Sequence, residues 1–200
     1  VAAEVLREAG VLLSIGHSAA AYIDCEALHA NGPVGMTHLG NRVLPMTARE
    51  PGPIGFAMEG NADFVAAIPD AIHVSPEMLR LWARTPSMRT KLMAVSDNLS
   101  HAGLPAESFD AGGQEAHRDG PVARNKRDEL CGTLDSLPEL LMRRVRDGVL
   151  SMAQAVRMGC EVPGKLIGDC GRLETGFRAD LVELKKDSTI GAIWVGGRKA

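Results

Sequence analysis

Four short apolar runs in this chain each finish on a side chain that can bind a metal ion or move a proton. They are VLLSIG before His17, VGMT before His38, AAIPDAI before His73 and LMAVS before Asp97. Segments with helical spacing lie between them. VAAEVLREAG closes at Gly10, residues 19–31 stop before Gly32, and SPEMLRLWAR offers Ser75 as N-cap, Pro76 in first position and Glu77 in the first turn. Near-continuous apolar strands alternating with helices predict parallel strands covered by helices. In a parallel barrel the C-terminal strand tips open on one face, so residues far apart in sequence converge there. Neutral imidazoles and a carboxylate aimed at one point suit a divalent metal and its water. His29 falls in a helix and His101 and His117 in loops, so these three read as solvated or locally hydrogen-bonded.

The stretch GMTHLGNRVLPMTAREPGPIG, residues 35–55, carries His38 out of its strand and into a long loop holding Asn41, Arg42 and Arg49. Pro51 and Gly52 stiffen the turn after Arg49. A guanidinium fixed near a metal site suits a bidentate grip on phosphate or carboxylate. Downstream, residues 99–134 are Gly-rich and lack a clear period, which predicts an insertion, or a hairpin, over the end of the sheet. Residues 123–129 mix charges of both signs and read as its loop or tip. Residues 136–148 and 151–168 have helical spacing. Residues 62–74 read as one strand with a polar end. From 171 to 200, short alternating strands separated by glycines predict a small β segment apart from an α/β part over residues 1–170.

The 200 residues, 45% of them hydrophobic, suffice for one sizeable core or part of a larger one. A net charge of −3 supplies no general attraction to nucleic acid or anionic lipid. No apolar run reaches the roughly 18 residues a membrane helix needs, and no signal peptide is evident. Cys25, Cys131, Cys160 and Cys170 form no CxxC pair, which predicts reduced thiols in a cytoplasm. The first ten residues already read as a helix interior, and the expectation is a portion of a longer polypeptide.

With these residues in view, the chain resembles the N-acetylglucosamine-6-phosphate deacetylases of the amidohydrolase superfamily. The resemblance runs through GHSAA (16–20), THLGNR (37–42), REPGPIG (49–55), DAIHV (70–74), VSDN (95–98), LCGTL (130–134) and GRLETGFRADLVEL (171–184). It implies the second half of a (β/α)8 TIM barrel followed by a small C-terminal β segment. It implies His17 and His38 as ligands of a divalent zinc or iron, and Asp97 as the catalytic carboxylate. Substrate contacts fall to Asn41, Arg42, Arg49, Asp70, His73, Leu130, Cys131 and Gly132. The implied reaction removes acetate from an N-acetylhexosamine 6-phosphate, in a protein that is a homodimer when complete. Departures from the family pattern stand at Ala19, Gly40, Arg42, Ser96 and Asn98, and Arg42 adds a cation beside the phosphate contacts. The first half of the barrel, with a glutamate ligand and a further histidine, is expected to lie outside these 200 residues, and the β segment is expected to lack strand partners. The 200-residue chain alone is therefore expected to be weakly active or inactive. The competing readings are an amidohydrolase acting on a carboxylate-bearing amide and a truncated, non-catalytic remnant.

Overall fold

The computed structural model describes residues 2–200. Its organising layer is a four-stranded parallel sheet in the order β1 (Leu13–Ile15), β2 (Val34–Met36), β3 (Val65–Ala67), β4 (Leu92–Ala94). Neighbours in space are neighbours in sequence. One helix stands between each pair: α2 (Tyr22–His29), α3 (Gly52–Glu59) and α4 (Pro76–Arg84), with α1 (Ala2–Glu8) ahead of β1. β2 and β3 are buried at every residue, the reason they read as unbroken apolar runs. The helix start at α4 follows its sequence signal, with the Ser75 hydroxyl accepting the Met78 amide at 3.3 Å and Pro76 placed where a missing N–H is harmless.

The main core lies between this sheet and its helices. Val34, Met36, Val65 and Leu92 from the strands meet Phe56, Leu79 and Trp82 from the helices, all essentially inaccessible. Full burial of each such side chain stabilises the fold by about 1.5–3 kcal/mol. Gly35 in β2 sits under the Phe64 ring, where an ideal Cβ would lie only 2.1 Å from the ring's Cζ. The strand that leads to His38 therefore depends on the lack of a side chain at that point.

Residues 99–134 form more than the expected hairpin. Four strands, β5 (Ser108–Asp110), β6 (Glu115–Asp119), β7 (Val122–Asn125) and β8 (Leu130–Thr133), make an antiparallel sheet in that order, with Phe109, Ala116, Ala123 and Leu134 as its own small core. After α5 (Leu137–Arg146), the helix expected over 151–168 is interrupted. α6 (Met152–Val156) and α7 (Val162–Ile167) flank a π-helical turn at Arg157–Glu161, where the Val162 amide reaches the Arg157 carbonyl. Pro163 follows directly and has no amide to continue the regular ladder.

Two further expectations change. The strand expected over 62–74 stops at Ala67. Pro69 cannot donate to a ladder, and the Asp70 carboxylate takes the amides of Ile72 and His73 at 2.9 and 2.8 Å, folding the chain into a turn. The C-terminal β segment does not lack partners. β9 (Leu181–Leu184) pairs with β10 (Ile190–Val195), and β10 pairs with β11 (Arg198–Lys199), all antiparallel. Among the described residues no helix is long and apolar enough to cross a membrane.

Replacing Gly35 with alanine should destabilise the chain by about 1–3 kcal/mol, the range for overpacking a filled core. Urea unfolding monitored by Trp82 fluorescence measures this as a lower midpoint at unchanged slope.

Candidate active site

The register of the parallel sheet builds the site. Ile15 lies opposite Met36 across β1 and β2. Carried two residues further, the same register puts His17 beside His38. Their ring centroids are 4.9 Å apart with an interplanar angle of 39°. The ladder continues around them, because the Thr37 amide donates to the Ile15 carbonyl at 2.8 Å and the Leu39 amide to the Ala66 carbonyl at 2.7 Å. His38 is thus pinned on both sides by neighbouring strands. Gly16 permits the close approach, since an ideal Cβ there would be 2.8 Å from the Thr37 Cβ.

Three strand-end residues share an uncommon backbone. His17, His38 and Asp97 have φ values of 46°, 29° and 54°. Left-handed backbone is disfavoured for residues bearing a Cβ and is held only where surrounding structure over-determines it; such strain clusters at functional sites. Here it turns the chain at each strand tip toward a common cavity of about 690 Å³. His17, His38, Asn41, Arg42, His73, Asp97, Leu130 and Cys131 all line that cavity. Its size suits a small ligand.

His73 reaches the cavity from the turn after β3, and the reason it is fixed there is Asp70. Its Nδ1 is 2.5 Å from the Asp70 Oδ2. Asp70 is only 4% exposed. Burial pushes its carboxyl up, but the His73 ring and the two amides outweigh that and hold it below the usual carboxylate range. An ionised Asp70 accepts a proton-bearing Nδ1, which fixes the tautomer and leaves the other ring nitrogen free for the cavity. Asp70 thus acts behind the wall rather than on it.

Asp97 is fixed from the opposite sheet. Its carbonyl accepts the Thr133 amide at 3.0 Å, Leu99 donates back to the Thr133 carbonyl at 3.1 Å, and the Thr133 hydroxyl bonds the Ser96 carbonyl at 2.6 Å. Gly132 makes this contact possible. An ideal Cβ at Gly132 would lie 2.6 Å from the Asp97 carbonyl oxygen. Gly132 therefore packs on the Asp97 backbone, while its neighbours Leu130 and Cys131 face the cavity.

Arg49 is placed differently. It is exposed in the loop before α3 and is absent from the cavity wall. In its place the wall holds residues that the sequence did not single out: Ala111, Gln114, Arg124, Asn125 and Glu129. Arg124 and Asn125 lie on β7, and Ala111, Gln114 and Glu129 lie in the connections between strands of the antiparallel sheet. The signal that could have found them is register, because Arg124 lies opposite Leu130 across β7 and β8. His101, as expected, stays local. It stacks on Phe109 with centroids 4.3 Å apart and bonds Ser100.

The donor set partly fits a metal ion. His38 is 8% exposed and its Nδ1 is buried without a hydrogen-bond partner, a costly state for a polar atom unless a ligand meets it. With His17 alongside, two imidazoles face one another. Among the described residues no group of three or more His, Cys, Asp or Glu side chains is placed to hold an ion. The two imidazoles by themselves fall short of such a group.

No family model matches the chain. It is 29% identical over 196 residues to the N-acetylgalactosamine-6-phosphate deacetylase of Shewanella sp. (strain ANA-3), covering 96% of this chain and 49% of that protein. It is 28% identical over 203 residues to the N-acetylglucosamine-6-phosphate deacetylase of Rattus norvegicus, covering 97% of this chain and 49% of that protein. Among solved structures it superposes with a TM-score of 0.89 and 28% identity on a mutant N-acetyl-D-glucosamine-6-phosphate deacetylase of Mycobacterium smegmatis in complex with N-acetyl-D-glucosamine-6-phosphate. That match covers 99% of this chain and 53% of the other. The proteins it resembles are consistently hydrolytic deacetylases of amino-sugar 6-phosphates, and the chain spans about half the length of the curated relatives it matches.

Asp70→Asn should cost about 1.5–3 kcal/mol at neutral pH, the worth of hydrogen bonds to a charged group. The Asp70 carboxyl is depressed in the folded state, so its stabilisation is present above the unfolded value near 4 and is lost as pH falls through the lower folded value. Urea unfolding from pH 7 down to pH 2 should show a shallower acid loss in the variant than in the parent.

Proposed function

We propose that this chain carries the catalytic face of a metal-dependent deacetylase of N-acetylhexosamine 6-phosphates. β1–β4 with their helices would be half of a (β/α)8 barrel, and the small β9–β11 sheet an appended segment. The observation that carries the reading is the convergence of His17, His38, His73 and Asp97 on one cavity at the C-terminal ends of successive parallel strands. The printed names of the relatives supply the substrate class; they include both the glucosamine and the galactosamine epimers.

His17 and His38 would hold the divalent ion, zinc or iron, through their ring nitrogens. When bound, the ion supplies Lewis acidity, lowering the pKa of a water and polarising a carbonyl. The chain's own residues do the rest. Asp97 takes a proton from the water that attacks the acetamide carbonyl, and its carboxyl then delivers that proton to the departing sugar nitrogen. The Thr133 and Gly132 contacts hold its backbone still during both transfers. His73, fixed through Nδ1 by Asp70, presents its remaining nitrogen to the sugar or the acyl oxygen. Asn41, whose side-chain amide already donates to the His38 carbonyl at 3.0 Å, ties the sugar-facing loop to the ligand histidine. Leu130 and Cys131 shape the wall opposite. Positioning of this kind supplies much of the barrier reduction in amide hydrolysis.

Asp97→Asn removes the proton carrier while leaving the volume unchanged. In a full-length polypeptide that includes these residues, acetate release from N-acetylglucosamine 6-phosphate or N-acetylgalactosamine 6-phosphate should fall by about 10²–10⁴, the usual range for one general acid–base group, with zinc content by elemental analysis unchanged. Turnover within tenfold of the parent would remove Asp97 from the mechanism.

A further inference from the structure

The part of the cavity wall built by the antiparallel sheet holds a carboxylate and an amide that the mechanism does not use, Glu129 and Gln114. They come from different turns. Gln114 lies in the connection between β5 and β6, and Glu129 in that between β7 and β8. One buried side chain joins them. Asn125, only 7% exposed, donates from its Nδ2 to the Glu129 Oε2 at 2.8 Å and to the Gln114 Oε1 at 3.4 Å. The backbone dictates its orientation, because its Oδ1 accepts the amides of Arg127 at 2.9 Å and Glu129 at 3.1 Å. A side-chain amide whose oxygen takes two N–H groups must turn its NH2 toward the other two partners. All four hydrogen bonds that the Asn125 side chain can make are then made, so its burial leaves no polar atom unpaired.

The consequence for the wall is directional. Gln114 commits its carbonyl oxygen to Asn125 and keeps its NH2, a donor. Glu129 commits one carboxylate oxygen and keeps the other, an acceptor. Neither remaining atom has a partner among the described residues. Arg124, the cation beside them on the wall, does not neutralise Glu129. Its Nε lies 2.7 Å from Asp119 and 3.6 Å from Asp128, and its Nη1 donates to the Asp128 carbonyl at 2.9 Å. A donor and an anionic acceptor tied to one buried nitrogen match two vicinal hydroxyls, one donating to the carboxylate and its neighbour accepting from the amide. A carboxylate repels a phosphate, so this part of the wall meets the uncharged ring of a sugar phosphate.

We propose that Glu129 and Gln114 read two vicinal ring hydroxyls of the sugar and set which epimer the cavity prefers. The inference rests on the substrate class proposed above. With the acetamide on C2 turned to Asp97, the vicinal ring hydroxyls that remain are those on C3 and C4, and C4 is where glucosamine and galactosamine differ. The test does not need turnover, because glucose 6-phosphate, galactose 6-phosphate and 4-deoxyglucose 6-phosphate carry no amide. Each is titrated calorimetrically into a full-length polypeptide that includes these residues. One epimer should bind about tenfold or more tightly than the other and than the 4-deoxy sugar, the size of one hydrogen bond to a charged group. Glu129→Ala should weaken that epimer by about tenfold and leave the 4-deoxy sugar unchanged. Glu129→Gln, which keeps an acceptor oxygen, should restore part of the loss. Gln114→Ala should narrow the same ratio, and Lys126→Ala in the same turn as Glu129 should leave it as it is. A parent that binds the two epimers alike, or binds neither, overturns the proposal. So does Glu129→Ala with the parent's ratio, or a loss equal for all three sugars, which marks a loosened hairpin and not a lost contact. Absence of acetate release with this binding pattern intact strikes the deacetylase reading alone.

Discussion

Parallel register between β1 and β2 is the constraint on which the candidate site rests. Side chains at equivalent positions of adjacent parallel strands lie one strand spacing apart, about 4.8 Å, and the two imidazoles are found at 4.9 Å. Nothing in the loops needs to bring them together. The sheet does so because Leu13, Ser14 and Ile15 pair with Val34, Gly35 and Met36. That register is in turn enforced by burial. β2 is inaccessible along its whole length, and a slip by one residue would turn its apolar side chains the wrong way and drive a side chain into the Phe64 ring.

The second wall is built on the same economy. The antiparallel sheet touches the parallel one through Thr133 and Gly132, and those contacts fall on the backbone of Asp97 and its neighbours. Any movement of the β5–β8 sheet is therefore movement of the proposed proton carrier. The left-handed φ values at His17, His38 and Asp97 belong to this picture, since hydrogen bonds to neighbouring segments hold the chain within two residues of each. Strain of roughly 1–3 kcal/mol at each such residue is tolerated where packing and hydrogen bonds outweigh it.

Much of this was legible in the sequence, for reasons that separate residue by residue. The parallel strands were readable because fully buried strands carry no polar interruptions, and their polar ends marked His17, His38 and Asp97 directly. His73 was readable as a polar end but its strand was drawn too long, because Ile68 and Ala71 continue an apolar pattern across a turn that the Asp70 side chain makes. Ser75 and Pro76 fixed the start of α4 because capping is local chemistry. What could not be read was anything set by long-range pairing. Arg124, Asn125 and Glu129 face the cavity only because β7 lies against β8, and no period in residues 99–134 announces that pairing. Arg49 looked well placed from its rigid turn, but turn rigidity fixes a backbone direction and not which wall the side chain joins. The π-helical turn before Pro163 escaped for a similar reason: helical spacing survives one widened turn almost unchanged.

The most direct test follows the two histidines together. Zinc should be titrated into the ¹⁵N-labelled protein while the histidine ring nitrogens are observed by long-range ¹H–¹⁵N correlation. The account predicts that His17 and His38 ring signals shift in the same titration step, saturating at one ion per chain, and that His17→Ala or His38→Ala abolishes the step for the remaining partner. Ring signals of the two residues that stay at their metal-free positions, or that respond separately at different zinc concentrations, would contradict it.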